Sequence, residues 1–203
     1  MTLLIATKNP GKIAEIAAWL ERNGIAYKTL RDFPDVADVE ETGSTFEENA
    51  KLKAFEYFKA TGLATLADDG GFEIDYLDGL PGVKSKRWVY GDREATDEEL
   101  VAHTLKTLEG VPEEKRTARL RTVMALYDGS DYTFASASID GRVVEKKYPH
   151  QPGFPYRGLL YVSQFGKMYD ELTESEHEAV NHRRLSLEKL KSVLVEKFGR
   201  LPI

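Results

Sequence analysis

The chain has 203 residues, 31% of them charged and 10% aromatic, with a formal net charge of −6 and no cysteine. That length can bury a sizeable core in one domain or two intimately packed lobes. The acidic balance disfavours broad binding to nucleic-acid backbones. The absence of cysteine excludes disulfides, zinc thiolate sites and cysteine nucleophiles. The apolar N-terminal run is too short for a signal sequence or a membrane span, so the default expectation is a cytoplasmic protein without a membrane partner.

Taken in chain order, Thr2–Ala6 reads as a short opening strand. Thr7-Lys8-Asn9-Pro10-Gly11-Lys12 follows as a polar loop, then a helix marked by Ile13, Ile16, Ala17 and Leu20 that ends near Gly24. Strand, glycine-containing loop and helix together can present backbone N–H groups to an anion, with Lys8 and Lys12 to neutralise it. A solvated basic turn is the plain alternative. Ile25–Leu30 is a second strand candidate and Arg31–Val39 an irregular connection. Thr45 is placed to cap a helix, with Glu48 completing a capping box, and that helix should run to about Ala60, before Gly62. At helical spacing Phe46, Ala50, Lys53 and Tyr57 share one stripe, flanked by Asn49 and Ala54. A lysine in an apolar stripe either snorkels outward or meets a buried anion.

Leu63–Ala67 reads as a buried strand that stops at Asp68-Asp69-Gly70-Gly71. Two readings stand. Asp-Gly is the chemistry of a hairpin turn, and Phe72–Leu77 resumes apolar alternation. Two adjacent carboxylates followed by glycines also suit a hard divalent cation and a closely approaching phosphate.

Gly79–Val83 is a rigid turn, followed by the basic pair Lys86 and Arg87. Thr96 and Glu99 form a capping box opening a helix that stops at Gly110. Arg116–Tyr127, Tyr132–Ile139 and Arg142–Lys147 read as three successive antiparallel strands with turns at Asp128-Gly129 and Asp140-Gly141. Arg119 and Arg121 alternate onto a solvated face. The 149–162 stretch is rich in glycine and aromatics, and Phe154 and Tyr156 can stack a planar ring or close a core edge. Thr173 and Glu176 cap a short helix that breaks at Asn181-His182-Arg183. A final helix uses Leu187, Leu190, Val193, Leu194 and Phe198.

Together ATKNPGK, EETGSTFEENAKLKA, LADDGGFEIDYLDGLPGVKSKR and AVNHRR, in that order, resemble the inosine/xanthosine triphosphate pyrophosphatase family. The resemblance spans nearly the whole chain. It implies an α/β fold with a long mixed sheet and flanking helices, forming two lobes around a central cleft. The whole of 1–203 would be one catalytic domain, with about 110–165 forming much of the second lobe, usually as a homodimer. It implies Mg²⁺-dependent hydrolysis of a nucleoside triphosphate to monophosphate and pyrophosphate. Thr7, Asn9 and Lys12 would hold the triphosphate, with Lys8 beside them. Glu40 or Glu41 would be a metal ligand with Asp69. Lys53 and the pair Asp68 and Asp69 would form the catalytic group, Asp69 as general base, and Asp68 could join the metal set. His182 and Arg183 would complete the substrate contacts.

The chain departs from the family pattern in four places. Gly70 replaces a serine and Asn181 another. His177 stands where a lysine reaches the base. Gly153-Phe154-Pro155-Tyr156-Arg157-Gly158 puts Arg157 where an aspartate accepts hydrogen bonds from the purine edge. A guanidinium only donates, so the exchange inverts the pattern offered to the base. The expectation is therefore that inosine triphosphate is not the simple optimum. The alternatives are a different or modified nucleotide as substrate, or a nucleotide-binding protein with weakened catalysis.

Overall fold

A computed structural model describes residues 1–199. Among these residues seven strands form one mixed sheet: β1 (Leu3–Ile5), β2 (Tyr27–Thr29), β3 (Thr65–Ile74), β4 (Thr117–Tyr127), β5 (Tyr132–Val143), β6 (Leu160–Val162) and β7 (Lys167–Met168). Their order is β2-β1-β3-β4-β5-β6-β7. β1 is parallel to β2 and β3, with Leu4 opposite Thr65, whereas β6 is antiparallel to β5 and β7. Among the described residues five α-helices accompany it: α1 (Pro10–Arg22), α2 (Phe46–Thr61), α3 (Asp97–Thr107), α4 (Glu174–Val180) and α5 (His182–Phe198). The expected α/β class with a mixed sheet is what forms.

The chain divides into two compact units. The first comprises, among the described residues, 1–69, 122–137 and 182–199. Leu3, Leu4 and Ile5 are all buried, the continuous apolar run of a strand covered on both faces. Leu3, Ile5 and Leu66 share a cluster with Ile16, Trp19 and Leu20 of α1 and Leu187, Leu190 and Leu194 of α5. Each such side chain contributes about 1.5–3 kcal/mol on full burial. The Trp19 indole N–H, which burial would otherwise leave unbonded, donates to Glu188 at 2.8 Å and ties α1 to α5. α2 begins at Thr45, whose hydroxyl accepts from the Glu48 N–H, and ends at Gly62 in the left-handed region. The capping box does not close as expected. Glu48 instead accepts from the N–H and hydroxyl of Ser44, both at 2.7 Å.

The second unit comprises 70–121 and 138–181, with its own core of Phe72, Ile74, Leu100, Val101, Leu159, Leu160 and Tyr169. α3 has the expected complete capping box of Thr96 and Glu99. Its C-terminal end is closed by the buried Arg116, which donates to the carbonyls of Leu108 and Val111.

Two strand readings are corrected. β3 does not stop at Asp68: it continues through Gly71 to Ile74, so Asp69-Gly70 is no hairpin turn. β5 likewise runs through Asp140-Gly141, and no separate strand begins at Arg142. β6 pairs there, Arg142 opposite Tyr161, and the Tyr161 carbonyl occupies the space a Gly141 side chain would need.

Candidate active site

Successive side chains of a strand point to opposite faces. Because β3 runs straight through Asp68 and Asp69, the two carboxylates part company and meet different cations. On one side Asp68, 1% exposed, takes Lys12 at 3.0 Å and the Arg183 Nε at 3.2 Å on its Oδ2. Lys12 comes from the first turn of α1 and Arg183 from that of α5. Arg183 also donates to Glu15 at 3.0 Å. The other oxygen of Asp68, Oδ1, is buried without a hydrogen-bond partner.

On the opposite side Lys53 of α2 has found its anions rather than snorkelling. Its ammonium donates to Glu41 at 2.6 Å, to the Asp68 carbonyl at 2.7 Å and to Asp69 Oδ1 at 3.3 Å. The Asn49 amide, one turn before Lys53, donates to Asp69 Oδ2 at 3.1 Å. Thr122 of β4 donates to the Asp69 carbonyl.

The electrostatics separate the two aspartates. Burial opposes the charge on Asp68, but Lys12, Arg183 and Lys53 more than offset it and hold its carboxyl far below the usual range. Burial raises Asp69, and Glu41 adds to that against the opposing pull of Lys53. Lys12 is pushed down chiefly by burial. Lys53, despite burial, is raised by Asp69, Asp68 and Glu41. Asp68 is thus a fixed anion between cations, and Asp69 the carboxylate with the greater proton affinity.

Other expected residues fall in varied places. Asn9 caps α1, accepting from the N–H groups of Gly11 and Lys12 at 2.9 and 3.2 Å, and Thr7 accepts from the Asn9 N–H. Lys8 turns to the exposed Asp38 and does not join the Asp68 group. Glu40 is exposed, and it is Glu41 that reaches Lys53. Gly70 is a mid-strand residue of β3. His182 is buried at the start of α5.

In the second unit Tyr156 stacks on Phe72 with centroids 4.7 Å apart, and its hydroxyl donates to the Ser85 carbonyl. It closes a core edge and has no open ring face of the kind a base would need. Phe154 is half-buried, with the Arg157 guanidinium 3.9 Å from its ring centroid. Arg157 also lies over Tyr169 and donates to Gln151 at 3.0 Å. His177 shares a 2.6 Å hydrogen bond with the Tyr169 hydroxyl.

Sequence reasoning missed Glu15 and gave Asn49 only a flank. Their signals were helical spacing, Glu15 three residues after Lys12 and Asn49 four before Lys53.

Glu41 and Asp69 converge on one cationic position, taken here by the Lys53 ammonium. Among the described residues no group of three or more acidic, histidine or cysteine side chains is arranged for a metal. A small hard divalent ion needs no such cage, because one or two carboxylates with waters and substrate phosphates suffice. The donor set of Glu41 and Asp69 fits such an ion, and Asp68, whose Oδ2 is held by Lys12 and Arg183, keeps an unpartnered Oδ1.

A family model described as "Ham1 family" matches residues 3–193. The chain belongs to the Ham1 family. It is 44% identical over 194 residues to the dITP/XTP pyrophosphatase of Geobacter sulfurreducens, covering 95% of this chain and 96% of that protein. The corresponding protein of Geobacillus kaustophilus is 40% identical over 189 residues, 93% of this chain and 91% of its own. Among solved structures, a HAM1 protein from Coxiella burnetii superposes with a TM-score of 0.85 at 34% identity, over 97% of this chain and 99% of that one.

Proposed function

We infer that this chain is a nucleoside triphosphate pyrophosphatase acting on non-standard purine nucleotides of the dITP and XTP class. The observation that carries this reading is the double-sided arrangement on β3, which concentrates Lys12 and Arg183 on one side of Asp68-Asp69 and Lys53 with Glu41 on the other. The relatives' identity as dITP/XTP pyrophosphatases supports the substrate class.

A triphosphate brings about four negative charges that must be neutralised before a nucleophile can approach. Lys12 and Lys53, which flank β3 yet lie close enough for their ammoniums to repel each other, are the cations for its oxygens. Glu41 and Asp69 would hold Mg²⁺, which when bound supplies further neutralisation and a template for the phosphates. Asp69 accepts a proton from water as the water oxygen bonds to the α-phosphorus. The bond from that phosphorus to the bridging oxygen breaks, and pyrophosphate leaves with the electron pair. Asp68 keeps Lys12 and Arg183 aimed.

For recognising a base, Phe154 offers a ring face for stacking and Arg157 offers donors only. Xanthine presents two carbonyl oxygens where hypoxanthine presents one, so XTP rather than dITP is the expected optimum. A homodimer in the cytoplasm belongs to the same reading. Sedimentation of the purified chain tests the dimer. Among the described residues no helix is long and apolar enough to cross a membrane.

The test is Mg²⁺-dependent pyrophosphate release over XTP, dITP, ITP and the standard triphosphates. XTP and dITP should exceed dATP and dGTP by about 10²-fold in kcat/KM. Equal rates would overturn the substrate class, and an optimum on dITP would overturn the role given to Arg157.

A further inference from the structure

The loop from Tyr148 to Gly158 is braced within itself and from outside. Inside, the Tyr148 N–H donates to the Gly158 carbonyl, Phe154 N–H to Gln151, and Arg157 N–H to Phe154. Gly158 can have no side chain, because the Tyr148 carbonyl and the His150 ring fill that space. Outside, two carboxylates reach in. Asp170 accepts from the Gln151 N–H at 3.3 Å. Asp97, the first residue of α3, accepts from the Gly153 N–H at 2.7 Å and lies 3.7 Å from the His150 Nε2. The His150 side chain is only 7% exposed. Gly153 has φ +83°, a left-handed conformation at the residue immediately before Phe154, and this is the N–H that Asp97 holds. α3 itself packs on the 155–159 turn, so the carboxylate is carried on a rigid element.

We propose that Asp97 is a positioning residue for base recognition, clamping the loop through the Gly153 N–H so that the Phe154 ring and the Arg157 guanidinium are presented in one arrangement. This rests on the reading that the loop meets the base. The clamp is charge-assisted, which makes it stronger than a neutral turn bond, and it acts on the backbone one residue from the ring. Its loss should let the loop sample other arrangements, weakening nucleotide binding while leaving the groups around Asp69 as they are. The effect then belongs in KM and in base discrimination rather than in kcat.

The experiment compares Asp97→Ala, Asp97→Asn, Glu98→Ala and Phe154→Ala by steady-state kinetics on XTP and dATP and by amide hydrogen exchange of the loop without nucleotide. Asparagine keeps an acceptor for Gly153, and Glu98→Ala removes a first-turn acid of α3 without touching the loop. Expected are faster exchange at 148–158 in Asp97→Ala, a KM for XTP raised about tenfold with kcat within twofold, and a narrowed preference over dATP. Asp97→Asn should recover most of both readouts, and Glu98→Ala should match wild type. If Phe154→Ala raises KM while Asp97→Ala leaves exchange and KM at wild-type values, the clamp is overturned. If neither variant alters KM or base preference, the reading of this loop as the base contact fails, and the proposal with it. If Glu98→Ala reproduces Asp97→Ala, the effect is helix stability and the clamp is likewise overturned.

Discussion

Around Asp68 and Asp69 the charged groups ride on regular elements: Lys12 on α1, Lys53 on α2, Arg183 on α5 and the aspartates on β3. Around Arg157 a buried cation is held on a loop by ring faces and an amide, with Phe154, Tyr169 and Gln151 among its contacts. The first arrangement has directions fixed by helix and strand geometry, and its ions compensate one another. The second depends on turn bonds and on two outside carboxylates to hold its shape. The difference teaches that the two groups rest on supports of different stiffness, so on the proposed reading the reaction and the choice of base should fail separately.

The largest expected effect falls on the first arrangement. Asp69→Asn keeps the volume and one acceptor but removes the proton acceptor, and kcat should fall by about 10²–10⁴-fold. Chelating the divalent ion should abolish pyrophosphate release from the wild type and leave the fold intact by circular dichroism. Retained turnover in either case would break the comparison. Asp68→Ala tests the other face of β3. It leaves Lys12 and Arg183 buried without their shared anion, and should cost about 3–5 kcal/mol in urea unfolding. A loss of activity with unchanged stability would instead make Asp68 part of the chemistry.

In the second unit Tyr156→Phe should cost about 1 kcal/mol, the worth of a buried hydroxyl bond to the Ser85 carbonyl, with the ranking of nucleotides unchanged. A changed ranking would return Tyr156 to the base site. The smallest effect concerns Glu176, which accepts from Lys167 and from the Thr173 N–H, and whose carboxyl is thereby lowered to about 2. A lowered carboxyl stabilises the fold fully above its ordinary range and loses that contribution as pH falls through its folded value. Glu176→Gln should therefore flatten the acid side of the stability curve slightly, as read from thermal unfolding between about pH 5 and 2. An unchanged acid limb would remove Lys167 and Thr173 as its cause.

Much of the first unit was legible because helical and strand periodicities are local. Lys53 stood out in the sequence because Phe46, Ala50 and Tyr57 put it on a buried face, and a buried ammonium needs an anion. The 148–158 loop was legible only in composition. Nothing local to Tyr156 says that it stacks on Phe72, and nothing local to Gly153 says that Asp97 holds it.

Four Asp-Gly pairs make the division concrete. Asp78-Gly79 and Asp128-Gly129 turn, with positive φ at both residues of the first and at Gly129 of the second. Asp69-Gly70 and Asp140-Gly141 lie inside strands. The same dipeptide carries the same local preference in each case, and what overrides it is non-local: Lys53 and Thr122 on the carboxylate and carbonyl of Asp69, and the β6 backbone against Gly141. By itself the sequence determined the α/β class and the amphipathic helices, and it left Lys53 a choice between water and an anion and Asp68-Asp69 a choice between a turn and an ion site. Only the tertiary structure decided that β3 runs straight through Asp68 and Asp69. A strand alternates its side chains, and that one fact sends the two carboxylates to opposite sides and gives them different partners.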